Sequence, residues 1–253
     1  MNRPLIIAHR GASAYAPENT LSAFRKAVQM DSDGIELDVQ LSKDGHVVII
    51  HDLTVNRTSN GNGKVKNLTL KQLKDLDFGS WFSREFKNEP ICTLEEVFYY
   101  LKDYEGLINV EIKKEWLQFS SIEKKVAELI AKFNLRNRTI VSSFSTLSLL
   151  KIKRIDKNIQ TGILYSSSTN RLILFAKFFK MDAIHPWYQN VNRYMKKIAA
   201  RNNIKINTYT VDDPVEMKKL ANIGVEGIIT NVPDVALKEL NIISRAHNDL
   251  NSG

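Results

Sequence analysis

The chain has 253 residues, 43% apolar and 25% charged, the proportions of an ordinary soluble globular protein built as one large domain or two small ones. No stretch approaches the roughly 18 unbroken apolar residues of a membrane span, so stable membrane insertion is not expected. The net charge of +8 is dispersed one or two lysines at a time, as at Lys124-Lys125, Lys196-Lys197 and Lys218-Lys219. That dispersal argues against a nucleic-acid partner and leaves an anionic small molecule as the fitting one.

The first apolar run, Leu5–Ala8, is too short for a signal peptide and is followed by His9-Arg10, so the chain reads as cytoplasmic. Strand-like runs then alternate with helical patterns from end to end. They are Leu5–His9, Gly34–Asp38, Leu107–Ile112, Thr139–Ser143, Gln160–Leu164, Asp182–His185, Lys205–Thr210 and Glu226–Thr230. Between them lie segments such as Ile122, Val126, Leu129, Ile130 and Phe133 at helical spacing. Eight strands alternating with helices predict a parallel (β/α)8 TIM barrel, one catalytic domain over 1–253. A doubly wound open sheet ranks second, because it wants a glycine-rich loop after the first strand and Gly11 stands alone there.

One stretch breaks the alternation. Asp44-Gly45 is a hairpin signal, so Val47–His51 is expected to return antiparallel to the second strand and deliver His51 near Asp38. Residues 53–90 then form an insertion with a turn-rich Ser59–Gly63, a helix-like Leu70–Leu76 and the aromatics Phe78, Trp81, Phe82 and Phe86. A connection of this size in a barrel reads as a lid or small subdomain. The single cysteine, Cys92, excludes an internal disulfide and a cysteine metal site, and reads as a buried apolar residue. The tail after Leu240 is expected to extend the last helix. Nothing in the sequence specifies an oligomeric state.

The chemistry-bearing residues fall at strand ends. Residues two apart in a strand share a face, so Glu36 and Asp38 point the same way, as do Glu111 and Lys113. Three carboxylates converging at the C-terminal ends of neighbouring strands want a cation, and an all-oxygen set suits Mg²⁺ or Ca²⁺. The plainer reading of each carboxylate is a separate ion pair, which the set as a whole disfavours. His9 closes the first strand and His51 returns to the same rim; two imidazoles supply a general base and a general acid near neutral pH. Arg10 and Lys113 suit a phosphate's oxygens. Phe144, Trp187 and Tyr188 are placed either to line a substrate pocket or to be ordinary core, and Tyr209 is a further pocket candidate that can stack on a substrate.

These pieces occur in order: His9-Arg10-Gly11, Pro17-Glu18-Asn19-Thr20, Glu36-Leu37-Asp38-Val39, His51-Asp52, Glu111-Ile112-Lys113, Ser142-Ser143-Phe144, then Gly227–Thr230 with Pro233-Asp234. Together they resemble the signature of the glycerophosphodiester phosphodiesterase family, cytoplasmic bacterial type, whose barrel is like that of phosphatidylinositol-specific phospholipase C. The resemblance implies hydrolysis of a small-molecule glycerophosphodiester to sn-glycerol 3-phosphate and an alcohol. It assigns a divalent metal to Glu36, Asp38 and Glu111, acid–base work to His9 and His51, and the phosphate to Arg10 and Lys113. It also implies attack by the substrate's own 2-hydroxyl, giving a cyclic phosphate that water opens.

The chain departs from that pattern in two places: Tyr209 stands where the family usually has Trp, and Thr230-Asn231 where it commonly has Thr-Asp. Asn19 is expected to cap the helix that follows, Glu18 to compensate charge at its start or, second, to partner Arg10, and His46 and His247 to lie at the surface. Leu172–Phe179 is read as an outer barrel helix. Rival functions are a lysophospholipase D-like phosphodiesterase, a Schiff-base aldolase using Lys113, and a non-catalytic sensor of a phosphate ligand. The aldolase gives no account of the three carboxylates, and the sensor would be marked by loss of a site residue, which is not seen.

Overall fold

The computed structural model describes residues 3–113, 121–166 and 171–240. In chain order the elements are β1 (Leu5–Ala8), α1 (Leu21–Gln29), β2 (Gly34–Leu41), β3 (Val47–Ile49), α2 (Leu70–Lys74), α3 (Leu94–Tyr100), β4 (Leu107–Ile112), α4 (Ile122–Lys132) and β5 (Thr139–Ser143). They continue as α5 (Thr146–Ile155), β6 (Gln160–Tyr165), α6 (Arg171–Phe178), β7 (Ala183–Pro186), α7 (Arg193–Arg201), β8 (Lys205–Thr208), α8 (Pro214–Ile223) and β9 (Gly227–Thr230). A helical segment follows over 233–240. The helix starts carry the expected signals. Thr20, Ser145, Asn192 and Asp213 each accept a backbone N–H of the first turn, and Thr93 with Glu96 forms a capping box on α3.

The sheet runs β1-β9-β8-β7-β6-β5-β4-β2 and closes by pairing of β1 with β2. All eight are parallel, so the barrel predicted from the alternation is the one found. The ninth strand, β3, pairs antiparallel with β2 in the register Val39 to Ile49 and Leu41 to Val47, as the Asp44-Gly45 turn requires. Strand ends moved by one to three residues, most at β2, which runs on to Leu41. Asp182 lies just before β7; its backbone donates to Thr161 O and accepts the Lys205 N–H, and its carboxylate takes the Thr161 N–H and the Lys153 ammonium.

Alternation along the strands sorts the barrel into two interiors. Ile6, Ala8, Ile35, Leu37, Val110, Ile112, Val141, Ile163, Ile184, Ile206 and Ile228 point outward into one continuous apolar layer beneath the helices. Their neighbours Glu36, Asp38, Asn109, Ser142, His185 and Asn207 are equally buried but polar, on the side facing the barrel axis. Most of the folding free energy therefore comes from the strand–helix layer, at about 1.5–3 kcal/mol for each large side chain withdrawn from water, and the axis is left free for chemistry.

Between β3 and α3 the chain makes a second, separate apolar cluster from Val48, Ile50, Val55, Val65, Leu73, Phe78 and Ile91. Gly11 has a left-handed backbone (φ +80°), and a Cβ there would lie 2.6 Å from the backbone of Ala23; the glycine is required by close packing of the loop on α1. Cys92 is buried, α6 lies on the outside of the barrel, and His46 is at the surface, all as expected. Among the described residues no helix is long and apolar enough to cross a membrane. His247 and the tail after Leu240 lie outside the described residues.

Candidate active site

Parallel pairing of β2 with β4 sets Glu111 opposite Asp38, one layer above the pair Glu36 and Asn109. The carboxylates of Glu36, Asp38 and Glu111 each bring an oxygen within 4.8 Å of the others'. Lys113 donates to Glu111 Oε1 at 2.7 Å and lies 3.6 Å from Asp38 Oδ1. Arg10, whose backbone is left-handed at φ 56°, donates its N–H to Glu36 Oε2 at 2.9 Å and brings its Nε 3.3 Å from Asp38 Oδ2. A residue with a side chain held in that region marks a place where the surroundings over-determine the backbone.

The electrostatics of the trio are unequal. Burial, with Asp38 and Glu111 adjoining, raises Glu36 well above the ordinary carboxylate range. Burial and the Asp38 charge push Glu111 up to about 7 against the pull of Lys113. Burial works the same way on Asp38, but Lys113 and Arg10 outweigh it and keep its carboxyl below the usual range. Glu36 Oε1 is buried with no hydrogen-bond partner. Two carboxylates that resist ionisation, one with an orphaned oxygen, form a set still short of positive charge. An all-oxygen donor set of this kind fits a hard divalent ion.

The two imidazoles flank this cluster. Asn231 donates from Nδ2 to Asp212 Oδ2 at 2.6 Å, and a carboxylate can only accept, so the amide orientation is fixed. Asn231 Oδ1 then faces His9 Nδ1 at 2.8 Å and must receive its proton. His9 is thereby held with Nε2 unprotonated, 4.0 Å from Glu36 Oε2. Burial and the neighbouring Arg10 draw His9 down to about 4. His51 follows the same rule with a different partner: its Nδ1 lies 2.7 Å from Asp52 Oδ1, which leaves Nε2 free.

Three further residues, Asn19, Glu18 and Arg57, complete the arrangement. Asn19 does not cap α1; Thr20 does. In a left-handed conformation (φ 60°) that asparagine tolerates, Asn19 instead pairs twice with Asp38, giving Nδ2–H to Oδ2 at 2.8 Å and accepting the Asp38 N–H at 3.2 Å. Glu18 takes the second of its two expected roles, not the first: it accepts from Arg10 at 2.7 Å, and also from both terminal nitrogens of Arg57 at 2.7 and 2.8 Å. Arg57 went unremarked, although it is the only Lys or Arg between Lys43 and Lys64 and stands five residues beyond Asp52.

The pocket aromatics gather at the same rim. The Phe144 ring meets Tyr209 edge-on at 6.4 Å, and the Lys113 ammonium sits 6.0 Å above Phe144. Trp187 makes a parallel backbone bridge with Tyr209.

A closed parallel barrel with carboxylates, cations and paired imidazoles at the C-terminal ends of its strands defines a barrel hydrolase equipped for an anionic ester. Residues 9–235 match the glycerophosphoryl diester phosphodiesterase family. A glycerophosphodiester phosphodiesterase of Caldanaerobacter subterraneus subsp. tengcongensis is 40% identical over 235 residues, covering 93% of this chain and 97% of that one. A phosphodiesterase of Oleispira antarctica, solved in complex with the product sn-glycerol-3-phosphate, superposes with a TM-score of 0.85 at 27% identity, covering 94% and 97%. The glycerophosphodiester phosphodiesterase of Thermotoga maritima gives 0.75 at 28% identity, covering 94% and 99%. The chain belongs to the glycerophosphoryl diester phosphodiesterase family and is an enzyme of the phosphoric diester hydrolase class.

Proposed function

We propose that the enzyme hydrolyses glycerophosphodiesters to sn-glycerol 3-phosphate and an alcohol, with a divalent ion, Mg²⁺ or Ca²⁺, held by Glu36, Asp38 and Glu111. The observation that carries this reading is the pair of imidazoles, each tied at Nδ1 and open at Nε2, flanking a carboxylate trio with an unpartnered oxygen. When bound, the ion supplies positive charge for the phosphate oxygens and lets all three carboxylates stay ionised.

This chain's own residues do the rest. Arg10 and Lys113 orient the phosphodiester and neutralise charge building on its equatorial oxygens. The substrate's 2-hydroxyl attacks phosphorus and the bond from phosphorus to the alcohol oxygen breaks. One imidazole, neutral at the start, takes the hydroxyl proton at Nε2; the other enters the step as an imidazolium and gives its Nε2 proton to the departing alkoxide. A water molecule then opens the cyclic phosphate with the two proton transfers reversed. Phe144, Trp187 and Tyr209 line the glycerol end, and residues 53–90 cover the site as a small subdomain of a single catalytic domain spanning the chain.

The test is release of glycerol 3-phosphate from glycerophosphocholine and glycerophosphoethanolamine. Turnover abolished by EDTA and restored by Mg²⁺ or Ca²⁺ is expected; turnover indifferent to chelation would remove the metal from the reading. The exposure of Phe144, Trp187 and Trp81 favours a second reading, a preference for acyl-bearing lysophospholipids. Fast turnover of glycerophosphocholine beside none of lysophosphatidylcholine would dismiss it.

A further inference from the structure

We infer that Arg57 is a positioning residue for the reaction: one guanidinium, carried by the insertion, locks the supports of both His51 and Arg10. The inference rests on the catalytic roles proposed above. Its geometry is complete in itself. Arg57 Nε donates to Asp52 Oδ2 at 2.8 Å and Nη2 to Asp52 Oδ1 at 3.0 Å. The same Nη2 reaches Glu18 Oε1 at 2.8 Å, and Nη1 reaches Glu18 Oε2 at 2.7 Å. Each carboxylate so gripped holds one site residue: Asp52 holds His51 Nδ1 and Glu18 holds Arg10 Nη1, both at 2.7 Å.

A planar fork with donors on two edges is the one side chain that can bridge two carboxylates in this way. Hydrogen bonding to Arg57 takes Asp52 far below the ordinary carboxylate range, so it stays an acceptor for the imidazole. The span matters because the three anchors come from different parts of the chain. Glu18 precedes α1, Asp52 follows β3, and Arg57 lies inside the insertion. Asp52 and His51 are both partly exposed, so packing alone does not fix them. Without the fork, Asp52 and His51 can turn together toward solvent, and Arg10 loses the partner of its partner.

A merely structural alternative is that Arg57 fastens the insertion to the barrel. That alternative has an internal control, because Glu89 fastens it elsewhere: its carboxylate accepts the Ser22 N–H at 3.1 Å and the Ser22 hydroxyl at 2.8 Å. The experiment compares Arg57→Ala, Arg57→Lys and Glu89→Gln for kcat, KM and Tm on glycerophosphocholine with saturating Mg²⁺. Arg57→Ala is expected to lose kcat about 10–100-fold, with KM changed much less. Lysine at 57 is expected to restore little, since it is a point charge, whereas guanidinium ion added to the alanine variant at low millimolar concentration should restore part of kcat. Glu89→Gln should leave kcat near wild type whatever it does to Tm.

Equal kcat losses in Arg57→Ala and Glu89→Gln, or full rescue by lysine, would reduce Arg57 to an anchor and overturn the inference. His51→Ala separates the two levels. If it keeps wild-type kcat, the acid–base reading itself fails. If it collapses while Arg57→Ala does not, only the role of Arg57 is lost.

Discussion

His9 ends a barrel strand, and what holds it belongs to the barrel: Asn231 just beyond β9 fixes its Nδ1, and Asp212 fixes Asn231. His51 ends a hairpin outside the barrel, and what holds it is Asp52 beside it and then Arg57 of the insertion. The inner imidazole is mostly buried and rests on a neutral amide; the outer one is more open and rests on a carboxylate that offsets part, but not all, of the lowering by burial, Arg10 and Lys113. One side of the site is therefore rigid because parallel strand ends are, while the other depends on a network of charges assembled around a loop. The proposed proton chemistry rests on packing on one side and on ion pairs on the other, and the two supports should fail differently.

The strongest way to break the comparison is to remove each imidazole. His9→Ala and His51→Ala should each lower kcat by about 10²–10⁴. A variant with near-normal kcat would remove that residue from proton transfer and leave one side of the site without function. Next comes the proposed ion between them, whose candidate ligands are all strand residues of the barrel side. Mg²⁺ or Ca²⁺ at about 100 times its Kd should stabilise the native state by about 2.7 kcal/mol, and Glu36→Gln should abolish most of that gain. His51→Ala should keep it. Equal thermal shifts in Glu36→Gln and wild type would mean the trio does not hold the ion.

Smaller effects probe the supports. Asp52→Asn keeps the shape of the outer support but removes its charge, and should lower kcat about tenfold or more. Asn231→Leu removes the acceptor that fixes the His9 tautomer, and a comparable loss is expected because half of the productive geometry depends on which nitrogen carries the proton. The two should differ in salt dependence: raising NaCl should narrow the defect on the outer side, because screening weakens in the wild type the charged support that Asp52→Asn has already lost, and leave the inner side unmoved. Identical salt responses would erase the distinction between packed and charged supports.

The barrel was legible because its signals are local and periodic. Runs such as Leu5–Ala8 and Leu107–Ile112 announce buried strands, Asp44-Gly45 announces the turn, and the i, i+2 spacing of Glu36 and Asp38 places both on one face. Asn19 and Arg57 were not legible in their roles, because each is defined by a partner far along the chain, and Glu18 was legible only as the weaker of two readings. Asn19 before an apolar helix reads as a cap, yet Thr20 takes the cap and the left-handed turn at Asn19 redirects its amide to Asp38, 19 residues away. Arg57 meets Glu18 across 39 residues, a contact that needs the insertion folded on its own apolar cluster before it exists. Asn231, a departure from the family pattern in the sequence, acquires a physical account only with Asp212 beside it: an amide donates to that carboxylate, and a second carboxylate would repel it.

His185 marks where burial of an imidazole stops meaning chemistry, and it carries the smallest predicted effect. It is fully buried on the barrel axis, its Nε2 3.1 Å from Asn207 Nδ2 and its Nδ1 without a partner. Burial alone draws it down from 6.5 to about 3, with no charge nearby to offset the cost of a proton. A histidine whose folded value lies below its unfolded value is protonated in the unfolded chain first. Its contribution to stability is therefore whole above about pH 6.5 and is lost as the pH falls toward about 3, at up to about 1.4 kcal/mol per pH unit for one proton. His185→Gln keeps an acceptor for Asn207 but cannot titrate. Urea unfolding at pH 5, 6 and 7 should show the wild type losing stability on the acid side more steeply than the glutamine variant, by up to one proton's slope, while kcat at neutral pH changes little. Parallel slopes would mean that His185 accepts its proton without unfolding, and that the barrel axis is wet enough to solvate an imidazolium below the active site.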